Sequence, residues 1–314
     1  MNERERLKIL EEKAAELRKL AEENALDLSA EIAILEQKIA EIKRALEQGP
    51  SAWERVQLAR RPDRPSGLPL VEALCQSFYE LRGDRIVGDD PALRGGLAKL
   101  GGKRIAVLFH HRGGTPEEQR RSRFGMASAQ GYWKARRIME VAARLRLPLL
   151  SLINTPGAYP GVQAESHNIA GAIASCIWQM LRHPAPTVAV ILGEGGSGGA
   201  VAIAVADRVL MLENATYSVI SPEGAASILW KDAKLAEKAA ENLKLTAQDL
   251  LVLGVVDEVI PEPPGGAHTD FAKTVESVRD AVLRHLAELS ALPLDELLRL
   301  RYKRYRHVGG TDQA

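Results

Sequence analysis

The chain has 314 residues with 46% hydrophobic content, enough to bury a full core in one large domain or in one domain with an appendage. Its 42 Lys and Arg against 41 Asp and Glu leave a formal charge of +1, which excludes a global pull toward nucleic acid or anionic membrane; any basic partner site must be local. Two cysteines, Cys75 and Cys176, are too few for a zinc module or a disulfide framework, and with a charged N-terminus lacking an apolar leader and no apolar run near ~18 residues they predict a cytoplasmic protein.

Residues 3 to about 48 are rich in Glu, Lys and Arg, with Leu7, Leu10, Ala14, Leu17 and Ala21 spaced three and four apart. Leu28, Ile32, Leu35, Ile39, Ile42 and Leu46 repeat that spacing in a shifted register. Each set makes one apolar stripe on a helix, and the shift around Asn24 to Ser29 predicts an antiparallel helical hairpin, with one helix carrying a stutter as the alternative. Neither stripe has a core of its own, so residues 1–49 form an arm that packs either on the body of the protein or on a partner chain. Gly49 and Pro50 end it. Residues 50–69, with three prolines and a glycine between Arg60 and Pro69, read as a connector, and the body, 70–314, starts near Leu70.

Arg104 to Phe109 is a short apolar strand, followed by a loop through His110, His111 and Gly114. No third ligand stands near the two histidines at metal spacing. Glu117 to Arg123 reads as a solvated helix face, with a phosphate contact by Arg120, Arg121 and Arg123 as the alternative. Gln130 to Arg146 is helical, Leu147 to Ile153 is a strand, and Ala164 to Leu181 is helical again. Between the last two, Pro156-Gly157-Ala158-Tyr159-Pro160-Gly161 can continue neither element.

After the apolar run Thr187 to Leu192 comes Gly193-Glu194-Gly195-Gly196-Ser197-Gly198-Gly199, then an Ala-rich helical pattern. Strand, tight turn and helix start point unpaired backbone N–H groups at one spot, which suits an anion. Gly198 and Gly199 stand where the turn becomes helix, and without a Cβ they let a ligand oxygen approach the main chain. Three readings are open at this level. The turn is a phosphate cradle, though without the Lys-Ser/Thr of a P-loop; or a nucleophile elbow, since Gly195, Ser197 and Gly199 spell G-x-S-x-G; or a packing turn. Beyond it, Arg208 to Leu212 and Thr216 to Ile220 are short strands, and Ser221-Pro222 starts a capped helix. Helical segments run through Leu253, Val255 to Ile260 is extended, and Asp270 to about Arg306 is helical with a break at Leu292-Pro293. The Arg, Lys and Tyr of residues 299–307 suit either nucleic acid or their own helix C-terminus, and the second is the simpler reading.

Longer stretches carry a resemblance. AWERVQLARRPDRP (52–65), GDRIVGDDPALRGG (83–96), FGMASAQGYWKA (124–135), NTPGAYPG (154–161), GEGGSGGA (193–200), TYSVISPEGAASILWKDA (216–233) and VIPEPPGGAHTD (259–270) resemble the alpha subunit of bacterial acetyl-CoA carboxylase carboxyltransferase, in order and over essentially the whole chain. The resemblance implies an α/β crotonase-type superhelix of repeated ββα units behind the helical arm. It implies transfer of the carboxyl group from carboxybiotin, borne on the biotin carboxyl carrier protein and loaded by biotin carboxylase, to acetyl-CoA, giving malonyl-CoA for fatty acid synthesis. The family works as two alpha and two beta chains with the site at their interface, and its zinc belongs to the beta partner, so no metal is expected in this chain. The freed biotin nitrogen takes the substrate proton in this reading, and the protein supplies an oxyanion hole. By motif match Gly198 and Gly199 are its donors, Gly195 and Gly196 shape the turn, and Pro156, Gly157, Ala158, Tyr159 and Gly161 form the neighbouring wall.

The chain departs from the family pattern at Asn154, where Asp is common, at Ala129-Gln130-Gly131-Tyr132 for Pro-Glu-Gly-Tyr, and at Ala164-Glu165-Ser166-His167-Asn168-Ile169 for A-E-E-R-G-Q. These changes remove charges near the mouth of the pocket and leave the backbone donors in place. Two other functions remain on the sequence. A serine hydrolase would use Ser197 with His167 or His183 and Asp207. A non-catalytic architectural subunit would explain the altered segment 166–171.

Overall fold

The computed structural model describes residues 3–24 and 28–308. The chain divides into two compact units, Met1–Glu54 and Arg55–Ala314. In the first, helices α1 (Glu3–Asn24) and α2 (Ser29–Gln48) lie side by side, with Arg18 of α1 paired to Glu36 of α2. Leu7, Leu10, Ala14 and Leu17 form the less exposed face of α1, and Ile32, Leu35 and Ile39 that of α2, as their spacing requires. The register shift read around Asn24 to Ser29 includes residues 25–27, which lie outside the described residues. Ser51 then opens α3 (Ala52–Arg60): its Oγ accepts from Glu54 N at 3.2 Å while its own N–H donates to the Glu54 carboxylate at 2.7 Å, a capping box.

The second unit begins within α3 and continues with α4 (Gly67–Leu74), β1 (Ser77–Glu80), β2 (Leu93–Leu100), β3 (Lys103–His110), α5 (Pro116–Arg121), α6 (Ala129–Arg144) and β4 (Leu149–Thr155). Next come α7 (Val162–Ser166), α8 (Ile169–Leu181), β5 (Thr187–Gly196), α9 (Ser197–Ala204), β6 (Arg208–Leu212), β7 (Thr216–Ser218) and α10 (Pro222–Trp230). The chain closes with α11 (Ala236–Leu243), α12 (Ala247–Val252), β8 (Glu258–Ile260), α13 (Phe271–Ser290) and α14 (Leu294–His307).

The strands form one sheet in the order β1-β2-β3-β4-β5-β6-β8, antiparallel through β3 and parallel from there on. Every residue of β4 and the first seven of β5 are buried, which is why these strands read as unbroken apolar runs rather than alternations. Strand β5 pairs with β6 through Val188–Ile191 and then with β7 through Glu194–Gly196, so one strand feeds two ladders in succession. With α10 following β6 and β7, this segment is a ββα unit of the kind the resemblance leads one to expect. The loops that leave the carboxyl ends of β3, β4, β5 and β7 gather at one edge of the parallel sheet, the place where such sheets bind ligands.

Two segments differ from the reading of the sequence. The helix expected over Ala164 to Leu181 is two, because Asn168 adopts a left-handed conformation (φ 57°) and its side chain accepts from Gly171 N at 3.0 Å, capping α8 afresh. The connector expected over 50–69, irregular from Arg60 to Pro69, holds α3 and the start of α4, and from Arg55 on it belongs to the body. Its arginines are the reason. Arg55 Nη1 donates to Glu213 O at 2.7 Å and to Asn214 Oδ1 at 2.9 Å, and Arg64, whose side chain is fully buried, pairs with Glu262. Burial alone would raise the Glu262 carboxyl, but Arg64 and Asn214 outweigh it and hold the group below its usual range.

Candidate active site

The glycine run is mostly strand. Gly193 to Gly196 continue β5, the helix begins at Ser197, and the turn between them is Ser197 itself, at φ 49°. This corrects the loop expected there, and crowding explains it. Gly195 pairs with Thr155 on one side and Tyr217 on the other, and a β-carbon on it would lie 2.9 Å from the Tyr217 ring. A β-carbon on Gly196 would fall 2.1 Å from Pro156 O, and one on Gly199 2.5 Å from the Gly157 carbonyl carbon and 2.6 Å from Ala158 N. The two motifs that the sequence singled out thus pack main chain against main chain, which only glycine allows.

Gly198 is different. A β-carbon there would meet only the Ile173 side chain, at 3.4 Å, and the residue is half-exposed. The N–H groups of Ser197, Gly198 and Gly199 lie in the first turn of α9, where a helix offers no acceptor of its own, and the helix dipole places partial positive charge beside them.

The opposing wall is held from behind. Thr155 Oγ1 lies 2.7 Å from Gly125 O and 2.8 Å from Gly157 O, and accepts from Gly157 N at 3.1 Å. Tyr159 N donates to Ala127 O at 2.9 Å, and the Tyr159 ring lies over Gly161, where a β-carbon would stand 2.3 Å from Cε1. Arg123 stacks 5.0 Å from the Tyr159 ring centroid and also pairs with Asp90. Asp90 in turn accepts from Ser128 N at 2.6 Å and Ala92 N at 2.8 Å, so the motifs at 83–96 and 124–135 meet at this carboxylate.

Beneath the turn is a charge network that reading the sequence missed. Glu194 accepts from Arg60 Nε at 2.9 Å and from Arg112 Nη1 at 3.0 Å, while Arg60 also grips Glu223, in the first turn of α10, at 2.6 and 2.9 Å. The Arg60 hydrogen bonds hold the Glu223 carboxyl below its ordinary range. Asn154 Oδ1 accepts from Arg112 at 3.2 Å and from Glu194 N at 3.2 Å, tying the end of β4 to the end of β5. A pocket of about 80 Å³ beside the turn is lined by Arg60, Pro156, Glu194, Gly195, Gly196 and Ser221, among others. The arginines of 55–64 were the available signal, but Arg60 meets carboxylates 134 and 163 residues away, which no local spacing reports.

The hydrolase constellation is not assembled. Asp207 is engaged by Arg301 and by Thr187 N and Oγ1, and His183 Nε2 faces Leu147 O at 2.9 Å. Thr187 is the first and Gly196 the last residue of β5. Ser197 is therefore separated from Asp207 and His183 by the length of a ten-residue strand, about 30 Å. His167 Nδ1 is 2.7 Å from Gln163 O of its own turn. Burial at the end of β3 pushes His110 down to about 3, so the neighbouring pair His110-His111 offers no charged imidazole at its first position. Among the described residues no group of three or more His, Cys, Asp or Glu is arranged to hold a metal, and no helix is long and apolar enough to cross a membrane.

The sequence profile of the family described as acetyl co-enzyme A carboxylase carboxyltransferase-like matches residues 1–309. The chain is 50% identical over 295 residues to an acetyl-coenzyme A carboxylase carboxyl transferase subunit alpha of Thermus thermophilus, covering 94% of this chain and 95% of the relative. To the subunit of the same name from Deinococcus radiodurans it is 48% identical over 307 residues, covering 98% and 97%. Among solved structures, a Pseudomonas malonate decarboxylase hetero-tetramer in complex with coenzyme A matches with a TM-score of 0.62 and 20% identity, over 77% of this chain and 95% of that one. The transcarboxylase 12S core, with methylmalonyl-coenzyme A and methylmalonic acid bound, matches with a TM-score of 0.60 and 18% identity, over 74% of this chain and 43% of that one. The distant structures speak for the fold and the near relatives for the lineage: the chain belongs to the family of acetyl-CoA carboxylase carboxyltransferase alpha subunits.

Proposed function

We propose that the chain, in an assembly of two alpha and two beta subunits, moves the carboxyl group of carboxybiotin to acetyl-CoA to give malonyl-CoA, and that Gly198 and Gly199 N–H groups are its oxyanion hole. Carboxybiotin, presented by the carrier protein after loading by biotin carboxylase, supplies the activated carboxyl group. What this chain supplies is a fixed pair of donors for the oxygen on which negative charge gathers, and in other enzymes one such donor is worth roughly 3 kcal/mol, about a hundredfold in rate.

The observation that carries the reading is the packing of Gly196 and Gly199 on Pro156 to Ala158, which leaves half-exposed Gly198 and the first turn of α9 open beside that wall. Pro156, Gly157, Ala158, Tyr159 and Gly161 border the space, and Glu194 with Arg60 and Arg112 keeps the end of β5 in register with the start of α10. Residues 1–49 serve as an arm for docking the beta subunit, and the zinc of the assembly resides in that subunit. The complex works in the cytoplasm.

Co-expression with the beta subunit, followed by a malonyl-CoA assay with carboxybiotin and acetyl-CoA, tests this. Activity is expected from the pair and not from either chain alone. A folded assembly that makes no malonyl-CoA would leave the chain an architectural subunit instead.

A further inference from the structure

The basic stretch at the C-terminus lines a groove of about 310 Å³ that shares no residue with the glycine turn or its opposing wall. Its lining includes the basic residues Arg208, at the start of β6, and Lys303, Arg304 and His307, on α14. It also includes Leu289 of α13 and Leu297 and Leu300 of α14, the first two buried and Leu300 exposed. The leucines and the cations face a common space because α14 turns back after Pro293 and presents residues 297, 300, 301 and 304 on one helical face.

The charges do not cancel. Of the carboxylates near the groove, Asp207 is saturated by Arg301, through Nε and Nη2 each at 2.7 Å, and Asp257 is paired with Arg304. That leaves Arg208, whose Nη1 donates only to the Asp207 carbonyl at 3.1 Å, and exposed Lys303 without an ion pair among the described residues. Arg304 is anchored by Val255 O at 2.8 Å and by Asp257, which fixes its side chain where it lines the groove. A helix C-terminus explains basic residues on α14, but it explains neither Arg208 on a strand nor the leucine wall.

We propose that this groove is a second binding site, for a small amphipathic oxyanion whose carboxylate or phosphate head meets Arg208, Lys303 and Arg304 and whose short aliphatic body lies on Leu289, Leu297 and Leu300. The full chain in complex with its beta subunit is titrated calorimetrically with sodium octanoate, with octanol as the body alone and with inorganic phosphate as the head alone. Octanoate is expected to bind once per alpha chain, more tightly than either control, and to weaken with added salt. Arg208→Gln with Lys303→Gln should weaken octanoate roughly twentyfold, one half-buried and one exposed charge contact at about a factor of five each. Leu300→Asp should weaken it at least as much, and Lys303→Gln alone, at an exposed position, should melt like the parent and still bind less well. Octanol or phosphate binding as tightly as octanoate, unchanged affinity in the Lys303→Gln chain, or no saturable octanoate binding would each overturn the proposal.

Discussion

Gly199 faces the main chain of Gly157 so closely that a β-carbon on it would stand 2.5 Å from the Gly157 carbonyl carbon. A contact of that kind is unavailable to any other residue at 199, so the start of α9 and the Pro156 to Gly161 wall are held together by what Gly199 lacks.

Gly199→Ala is therefore expected to displace the Pro156 to Gly161 wall, lowering carboxyl transfer by about two orders of magnitude or more, the loss of one oxyanion donor, along with the melting temperature. Gly198→Ala, with Ile173 at 3.4 Å as its only neighbour, should fold like the parent and keep its N–H. Steady-state kinetics and thermal melts on the two variants check the contrast. Equal behaviour of both would show that the main-chain contact does not shape the site.

Ser197 is exposed and sits at φ 49°, a conformation that glycine adopts without strain. Among the described residues no histidine hydrogen-bonds to it, so it contributes its backbone and at most one local hydrogen bond, worth about 1 kcal/mol, and Ser197→Ala should keep at least roughly a tenth of the activity. Ser197→Gly should be at least as stable as the parent. Stoichiometric labelling of Ser197 by a fluorophosphonate, together with an esterase activity lost in Ser197→Ala, would reverse this conclusion.

Arg301 is buried and joins Asp207 to the carbonyls of Met180, His183 and Ala185 at the far end of β5. Removing it strands a buried carboxylate, and Arg301→Met should cost about 3–5 kcal/mol in urea unfolding. Asp207→Asn in the same chain should restore part of that. A loss under about 1 kcal/mol would mean that water replaces the guanidinium at little expense.

His110 is fully buried with both ring nitrogens lacking partners among the described residues, and burial pushes it down to about 3. The unfolded chain takes up this proton near pH 6.5 while the folded one does not, so the stabilising effect is complete above that pH and is lost as pH falls toward 3. Each pH unit in that window costs about 1.4 kcal/mol from this residue. His183, also lowered by its burial, adds in the same direction. His110→Leu gives up no hydrogen bond and should flatten the slope between pH 6.5 and 4.5. Urea titrations across that range would refute the assignment if the parent and the variant lost stability in parallel.

Much of this molecule could be read before folding because its cause is local. The run Thr187 to Leu192 had to be a buried strand, Ser221-Pro222 had to start a helix, and the Leu and Ile stripes of residues 7–39 had to lie on helical faces, since periodicity and capping act within a few residues. The long motif matches carried the family in the same way. Where a long-range partner decides, the sequence was silent. Gly193 to Gly196 looked like a loop and are strand because β7 and Pro156 crowd them from both sides. Asn168 looked helical and breaks a helix because its side chain caps the next one. Residues 60–69 looked like an unattached connector, and Arg60 and Arg64 bind carboxylates that only the winding of the sheet brings to them. Spacing along the chain reports which residues share a face, while the choice of a charged partner more than a hundred residues away is made by topology and burial.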